Sequence, residues 1–182
     1  MGRITYNHQD QVEKVAKELR KHEIPCDLIH IDTGWYENEW DCNYCFGPDK
    51  FPDPVGMIEC LRGDGYRVSL WQWPNLSVGS SIFAEGQEKG YFARRSNGST
   101  YTYPGFLEDT ALIDYSNPKA VAWVQEKIHN LLDMGVAAIK VDFGEGAPIE
   151  AKYHGVASES MHNLYPLLYG KAIYEVTQQV HG

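Results

Sequence analysis

Apolar positions along the 182 residues fall into two alternating kinds of segment: short unbroken runs, and longer stretches with an apolar residue every three or four positions. Val12, Val15, Ala16 and Leu19 share one helical face and predict a helix over 8–20, with Asn7 as its cap. Ile24-Pro25 ends it, and residues 26–31 predict a buried strand that closes on Asp32-Thr33-Gly34-Trp35. Pro52-Asp53-Pro54 opens a short second helix reaching Arg62, stopped by Gly63 and Gly65. Residues 66–71 predict the next strand, ended by Pro74, and a weaker helix covers 82–89. Residues 91–103 alternate around Asn97-Gly98, the signal of a type I′ hairpin. Glu108-Asp109 reads as a solvated loop. Pro118 starts a strong helix carrying Val121, Val124, Ile128, Leu131 and Leu132 and stopped at Gly135. Residues 136–141 form an apolar strand ending at Asp142. A last helix, 158–180, aligns Met161, Leu164, Leu168, Ile173 and Val176.

Strands separated by amphipathic helices imply right-handed βαβ units and a parallel sheet, here with three strands. No G-x-G-x-x-G follows any of them, which counts against a nucleotide-binding doubly wound sheet. Asp32, Trp71, Lys140 and Asp142 all sit at the C-terminal ends of strands, the edge on which barrel enzymes carry their chemistry. The pattern alone leaves barrel and doubly wound sheet both open.

Composition narrows the function classes. An apolar share of 43% and a charged share of 23% suit one soluble segment, residues 1–182. The net charge of −9 comes without any basic cluster, so nucleic acid and anionic membrane are poor partners. Cys42 and Cys45 form a C-x-x-C pair without the further ligands a closed zinc site needs. Reduced thiols in a cytoplasmic protein are the expectation, with no metal or other cofactor. Aromatic residues reach 13%, which suits stacking on sugar rings as well as packing.

The segment Lys140-Val141-Asp142-Phe143-Gly144-Glu145 resembles the nucleophile strand of glycoside hydrolase family 31 in its α-xylosidase-like branch. Further blocks match in the same order: residues 30–35, 51–57, 68–72, Asp114-Tyr115-Ser116-Asn117-Pro118, and His162-Asn163-Leu164-Tyr165. The resemblance spans nearly the whole chain. It implies an α/β fold, a partial (β/α)₈ barrel amounting to roughly its first half. It implies a retaining α-glycosidase acting on terminal α-xylosyl or α-glucosyl residues, with Asp142 as the nucleophile. Asp32, Trp71 and Lys140 are implied as substrate-binding residues, and Trp35 and Trp73 are candidates for the same mouth. Lys140 precedes Asp142 by two positions and so shares its face of the strand, where a cation favours the charged carboxylate. Glu145 is either a support of the nucleophile loop or a solvent-facing residue, and His30, His154 and His162 are read as packing or surface residues.

The general acid/base of that family follows the nucleophile on a later strand, and the residues expected to match it are not within this chain. The expectation is therefore a fragment that is a poor catalyst alone and that self-associates to cover its open sheet. A non-catalytic carbohydrate-binding or self-associating half-barrel is the alternative.

Overall fold

The computed structural model describes residues 2, 3 and 6–182. In chain order its elements are β1 (Gly2–Arg3), α1 (Gln9–Lys21), β2 (Leu28–Ile31), α2 (Pro54–Gly63), β3 (Arg67–Gln72), β4 (Asn75–Ser77), α3 (Phe83–Lys89), β5 (Thr102–Pro104), β6 (Asp109–Leu112), α4 (Pro118–Asp133), β7 (Ala138–Val141) and α5 (Ser158–His181). No helix among these residues is long and apolar enough to cross a membrane.

Four strands form one parallel sheet in the order β1-β2-β3-β7. The sequence predicts three. The fourth, at Gly2–Arg3, pairs with His30 and Ile31 of β2 and is too short to leave a hydrophobic pattern. Across these four strands the order runs one way without reversal. Register then sorts the side chains. His30 aligns with Ser69 and Ser69 with Ala138, while Ile31 aligns with Leu70 and Leu70 with Ile139. Successive residues of a strand point to opposite faces. One face therefore carries Ile29, Ile31, Val68 and Leu70, all at most 1% exposed, and the helices α1, α2 and α5 pack against these strands. The other carries His30, Ser69, Trp71, Lys140 and, one step past the strand ends, Asp32 and Asp142.

The helix boundaries follow local chemistry. Asp53 caps α2 by accepting from the Gly56 N–H at 3.0 Å, and Asn117 caps α4 by accepting from the Lys119 N–H at 3.0 Å. Asn7 does not cap α1; His8 holds that position without a side-chain cap bond, and the Gln9 N–H is served instead by the Lys50 carbonyl at 2.8 Å. Helix α5 runs 24 residues through Pro166. Its buried face consists of Met161, Tyr165, Tyr169, Ala172, Ile173 and Val176, with Leu164 and Leu168 only partly covered. Tyrosines were missed by an apolar-pattern reading because their hydroxyls find buried acceptors: Tyr165 donates to the Ile113 carbonyl at 2.7 Å and Tyr169 to that of Gln72 at 3.2 Å.

Between β3 and α4 lies a second sheet, antiparallel, in the order β4-β6-β5. Asp109 opens β6, and Glu108 accepts from the Gly79 N–H at 3.0 Å, so this acidic pair is structural rather than a free loop. The hairpin around Asn97-Gly98 is present. Gly98 adopts φ +86°, Asn97 does not take a positive φ, and the Gly98 N–H returns to the Arg95 carbonyl at 2.9 Å. That is a type I turn with a left-handed glycine, not the type I′ turn expected.

Candidate active site

Asp142 is fixed at the mouth of the sheet because its N–H donates to the Gln72 carbonyl at 3.0 Å, extending the β3–β7 ladder by one bond. Two donors converge on its Oδ2: the Lys140 ammonium at 2.8 Å and the Trp71 indole N–H at 2.8 Å. Among the described residues, Oδ1 accepts the Phe143 N–H alone, at 3.2 Å. Partial burial pushes the carboxyl pKa up, and hydrogen bonds from Lys140 and Trp71, with the Lys140 charge, more than offset it. The net result is a group held below the ordinary range and ionised at neutral pH. Directly after it the chain turns through two left-handed residues, Phe143 at φ +61° and Gly144 at φ +104°. A non-glycine residue there costs about 1–2 kcal/mol.

Trp71 is 1% exposed, so it supports the carboxylate from beneath. Its own carbonyl accepts from Trp35 Nε1 at 2.8 Å and from the Tyr36 hydroxyl at 3.1 Å. Trp35 is thus a buried brace and does not line the mouth. Cys42 belongs to the same layer, 3.2 Å from the Tyr36 hydroxyl and donating to the Trp73 carbonyl at 3.4 Å. Burial raises its thiol to about 12, which leaves no thiolate at neutral pH, while Cys45 is exposed. The C-x-x-C pair is split between core and solvent.

Asp32 stands at the same end of the sheet, on the other side of β3. Strand spacing places its backbone about 10 Å from that of Asp142. Its Oδ1 accepts the Thr33 N–H at 3.0 Å, the same arrangement that Asp142 makes with Phe143. Its Oδ2 lies 3.4 Å from His30 Nε2. His30, read from the sequence as a packing or surface residue, thus faces a carboxylate. The signal was available: it precedes Asp32 by two positions, as Lys140 precedes Asp142.

Beside Asp142 opens a cleft of about 310 Å³, lined by Trp73, Asn75, Tyr103, Phe106, Phe143 and Glu145 among others. Trp40 stacks on Phe106 with centroids 4.1 Å apart and meets Trp71 edge-on at 5.0 Å. Trp40, Cys42 and Tyr44 all have positive φ, so a contorted loop delivers Trp40 to this position. Trp40 and Phe106 had no place in the sequence reading because loop aromatics have no period, and Phe143 entered it only as part of the motif around Asp142. Phe106 and Phe143 remain 59% and 42% exposed, unusual for rings in a finished core. Two motif blocks prove structural. Asp114 accepts from Ser116 and from the His154 N–H at 2.8 Å, and His162 Nδ1 sits 2.6 Å from the Ala147 carbonyl.

Comparison with known proteins identifies the family of the chain. The model of the glycosyl hydrolases family 31 TIM-barrel domain matches residues 1–182. The chain is 36% identical over 177 residues to the α-xylosidase XylQ of Lactiplantibacillus pentosus, covering 96% of this chain and 23% of that protein. It is 32% identical over 166 residues to an α-xylosidase of Emericella nidulans, covering 90% and 21%. Among solved structures, a family 31 dextranase of Flavobacterium johnsoniae complexed with glucose superposes with a TM-score of 0.92 at 25% identity, over 99% of this chain and 23% of that one. A family 31 α-xylosidase from a soil metagenome, complexed with xylose, gives 0.85 at 27% identity, over 98% and 27%. The chain thus spans about a quarter of the length of the relatives it matches, and across that span it belongs to glycoside hydrolase family 31.

Proposed function

We propose that these residues form four adjacent staves of a (β/α)₈ barrel in a retaining α-glycosidase, with Asp142 as its nucleophile. The observation that carries the reading is the convergence of Lys140 and Trp71 on one oxygen of a carboxylate that stays ionised at the open end of the sheet. A retaining mechanism needs such a group. Oδ1, with its single longer hydrogen bond, is the freer oxygen and the one assigned to attack. It bonds to the anomeric carbon as the glycosidic C–O bond breaks, and the leaving oxygen takes a proton from a carboxylic acid placed outside residues 1–182. Water then displaces Asp142, giving its proton to that same carboxylate. Two inversions give net retention. Asp32, across β3, is assigned to the sugar hydroxyls. The width between the two carboxylate-bearing strands suits one sugar ring.

The Lys140-Val141-Asp142 sequence and the α-xylosidase names among the relatives favour α-xylosides over α-glucosides. Labelling the full-length protein with an α-configured fluoroglycoside that forms a slowly hydrolysed intermediate tests the assignment. The sugar is expected on the peptide bearing Asp142, and a label on Glu145 would overturn it.

The aromatic cleft is assigned to the leaving group. Phe106→Ala removes an exposed ring whose main contact is Trp40, so the fold should persist. The KM for an aryl or disaccharide α-glycoside should rise about fivefold, the worth of one aromatic stacking contact. Turnover of the glycosyl fluoride, whose leaving group is too small to reach the cleft, should be unchanged. Steady-state kinetics on the two substrates separate these results.

A further inference from the structure

His30 is a half-buried ionisable side chain in contact with a proposed substrate-binding carboxylate, and the mechanism above gives it no task. Its ring lies on the face of β2 that carries Asp32, one layer deeper. Nδ1 is 3.2 Å from the Ser69 hydroxyl on the neighbouring strand, and Nε2 is 3.4 Å from Asp32 Oδ2. Nε2 is shielded from solvent and has no well-directed hydrogen bond. The carboxylate of Asp32 is the acceptor in reach.

Ser69, His30 and Asp32 have the composition of a nucleophilic triad, and the geometry rules that role out. Ser69 is 5% exposed in the middle of a paired strand, where no substrate carbon can approach it. The chain of contacts runs the other way, from buried hydroxyl to ring to carboxylate. A ring nitrogen lone pair facing a carboxylate is repulsive, so Nε2 must carry the hydrogen. Nδ1 is then the acceptor of a hydrogen bond from the Ser69 hydroxyl, which is free to rotate. Burial lowers the His30 pKa, with Lys140 acting in the same sense, and Asp32 and Ser69 only partly oppose this. The ring is neutral at neutral pH, and this tautomer needs no charge.

We propose that His30, held by Ser69, is a positioning residue that fixes the carboxylate of Asp32 for the sugar hydroxyls. The Thr33 N–H holds Oδ1, and the His30 ring stands 3.4 Å from Oδ2, where a small rotation on sugar binding makes the hydrogen bond. With that bond made, the remaining lone pairs are presented to the site in one orientation. The long 3.4 Å separation leaves that tether weaker than an ideal bond, so its effect on the sugar is expected to be moderate. The inference rests on the assignment of Asp32 to the sugar.

The test is a double-mutant cycle in the full-length protein, with kcat/KM for a glycosyl fluoride normalised to sites counted by covalent labelling. That normalisation removes any loss of folded protein. His30→Leu is expected to lower kcat/KM about tenfold, less than the roughly 100-fold that an ångström of misplacement can cost, because the His30–Asp32 contact is long. His30→Gln, which can return an N–H toward Asp32, should recover most of the loss. Combining His30→Leu with Asp32→Asn should cost no more than Asp32→Asn alone, because His30 acts through that carboxylate. Additive losses, or failure of Gln to do better than Leu, would show that His30 serves packing only. A negligible effect of Asp32→Asn by itself would instead overturn the Asp32 assignment.

Discussion

Asp142→Ala in the full-length protein should lower kcat on a glycosyl fluoride by about 10⁴-fold or more, the scale on which a nucleophile's loss is felt. The fluoride leaving group needs little protonation, so this comparison isolates the attacking carboxylate from the acid. Stability should change little. Asp142 is over a third exposed, and its removal leaves the Gln72 ladder bond, which uses only the backbone N–H, in place. The truncated side chain leaves a gap above Trp71 beside the Lys140 ammonium, a site suited to a small anion. Added azide should enter it, attack the anomeric carbon and restore part of the turnover. One displacement on an α-configured donor yields the β-glycosyl azide, and no carboxylate remains to invert it again. Product stereochemistry by NMR is the decisive readout. An α-azide would mean that a second nucleophile is at work, and unchanged activity without azide would remove Asp142 from the mechanism.

The residues around this carboxylate show which parts of the molecule a sequence reveals. Parallel strands separated by amphipathic helices are written as runs and periods, and the boundaries of β2, β3, β7 and the helices lie within a few residues of expectation. Lys140 and Asp142 share a face because strands alternate, a rule that needs no structure. The same rule pairs His30 with Asp32, yet histidine beside an apolar run is ordinarily packing, and only the 3.4 Å approach separates the two cases. Trp71 as a hydrogen-bond donor to Asp142 follows from register, which places Trp71 opposite Lys140. Register between strands some 70 residues apart is not written locally. Trp40 and Phe106 are further still from any pattern. They reach the cleft through loops with positive φ or through the second sheet, and neither has a hydrophobic period. The two-residue β1 is invisible for the simpler reason that it is too short to have one.

Lys140→Met is expected to cost about 100-fold in kcat/KM at neutral pH, the scale of one strong charge-assisted hydrogen bond. Its pH dependence carries the sharper information. Lys140 helps hold the Asp142 pKa below the ordinary value, so its removal should move the acid limb of the kcat/KM profile to higher pH. The loss relative to wild type should then grow as pH falls. Trp71 and the Phe143 N–H remain, so the shift should be partial, and Lys140→Arg should keep the limb near its original position. The stability consequence has the same sign and a small size. A carboxyl whose folded pKa is depressed contributes stability above its unfolded pKa, about 3.9 for aspartate, and that contribution fades as pH falls through the folded value. With both partners more than a third exposed, solvent screens the pair, and exposed ion pairs contribute at most about 1 kcal/mol. Thermal unfolding of Lys140→Met at neutral pH should therefore stay close to wild type while activity falls steeply. A parallel fall in melting temperature and activity would assign Lys140 to the fold. An unmoved acid limb would show that another group sets the ionisation on which catalysis depends.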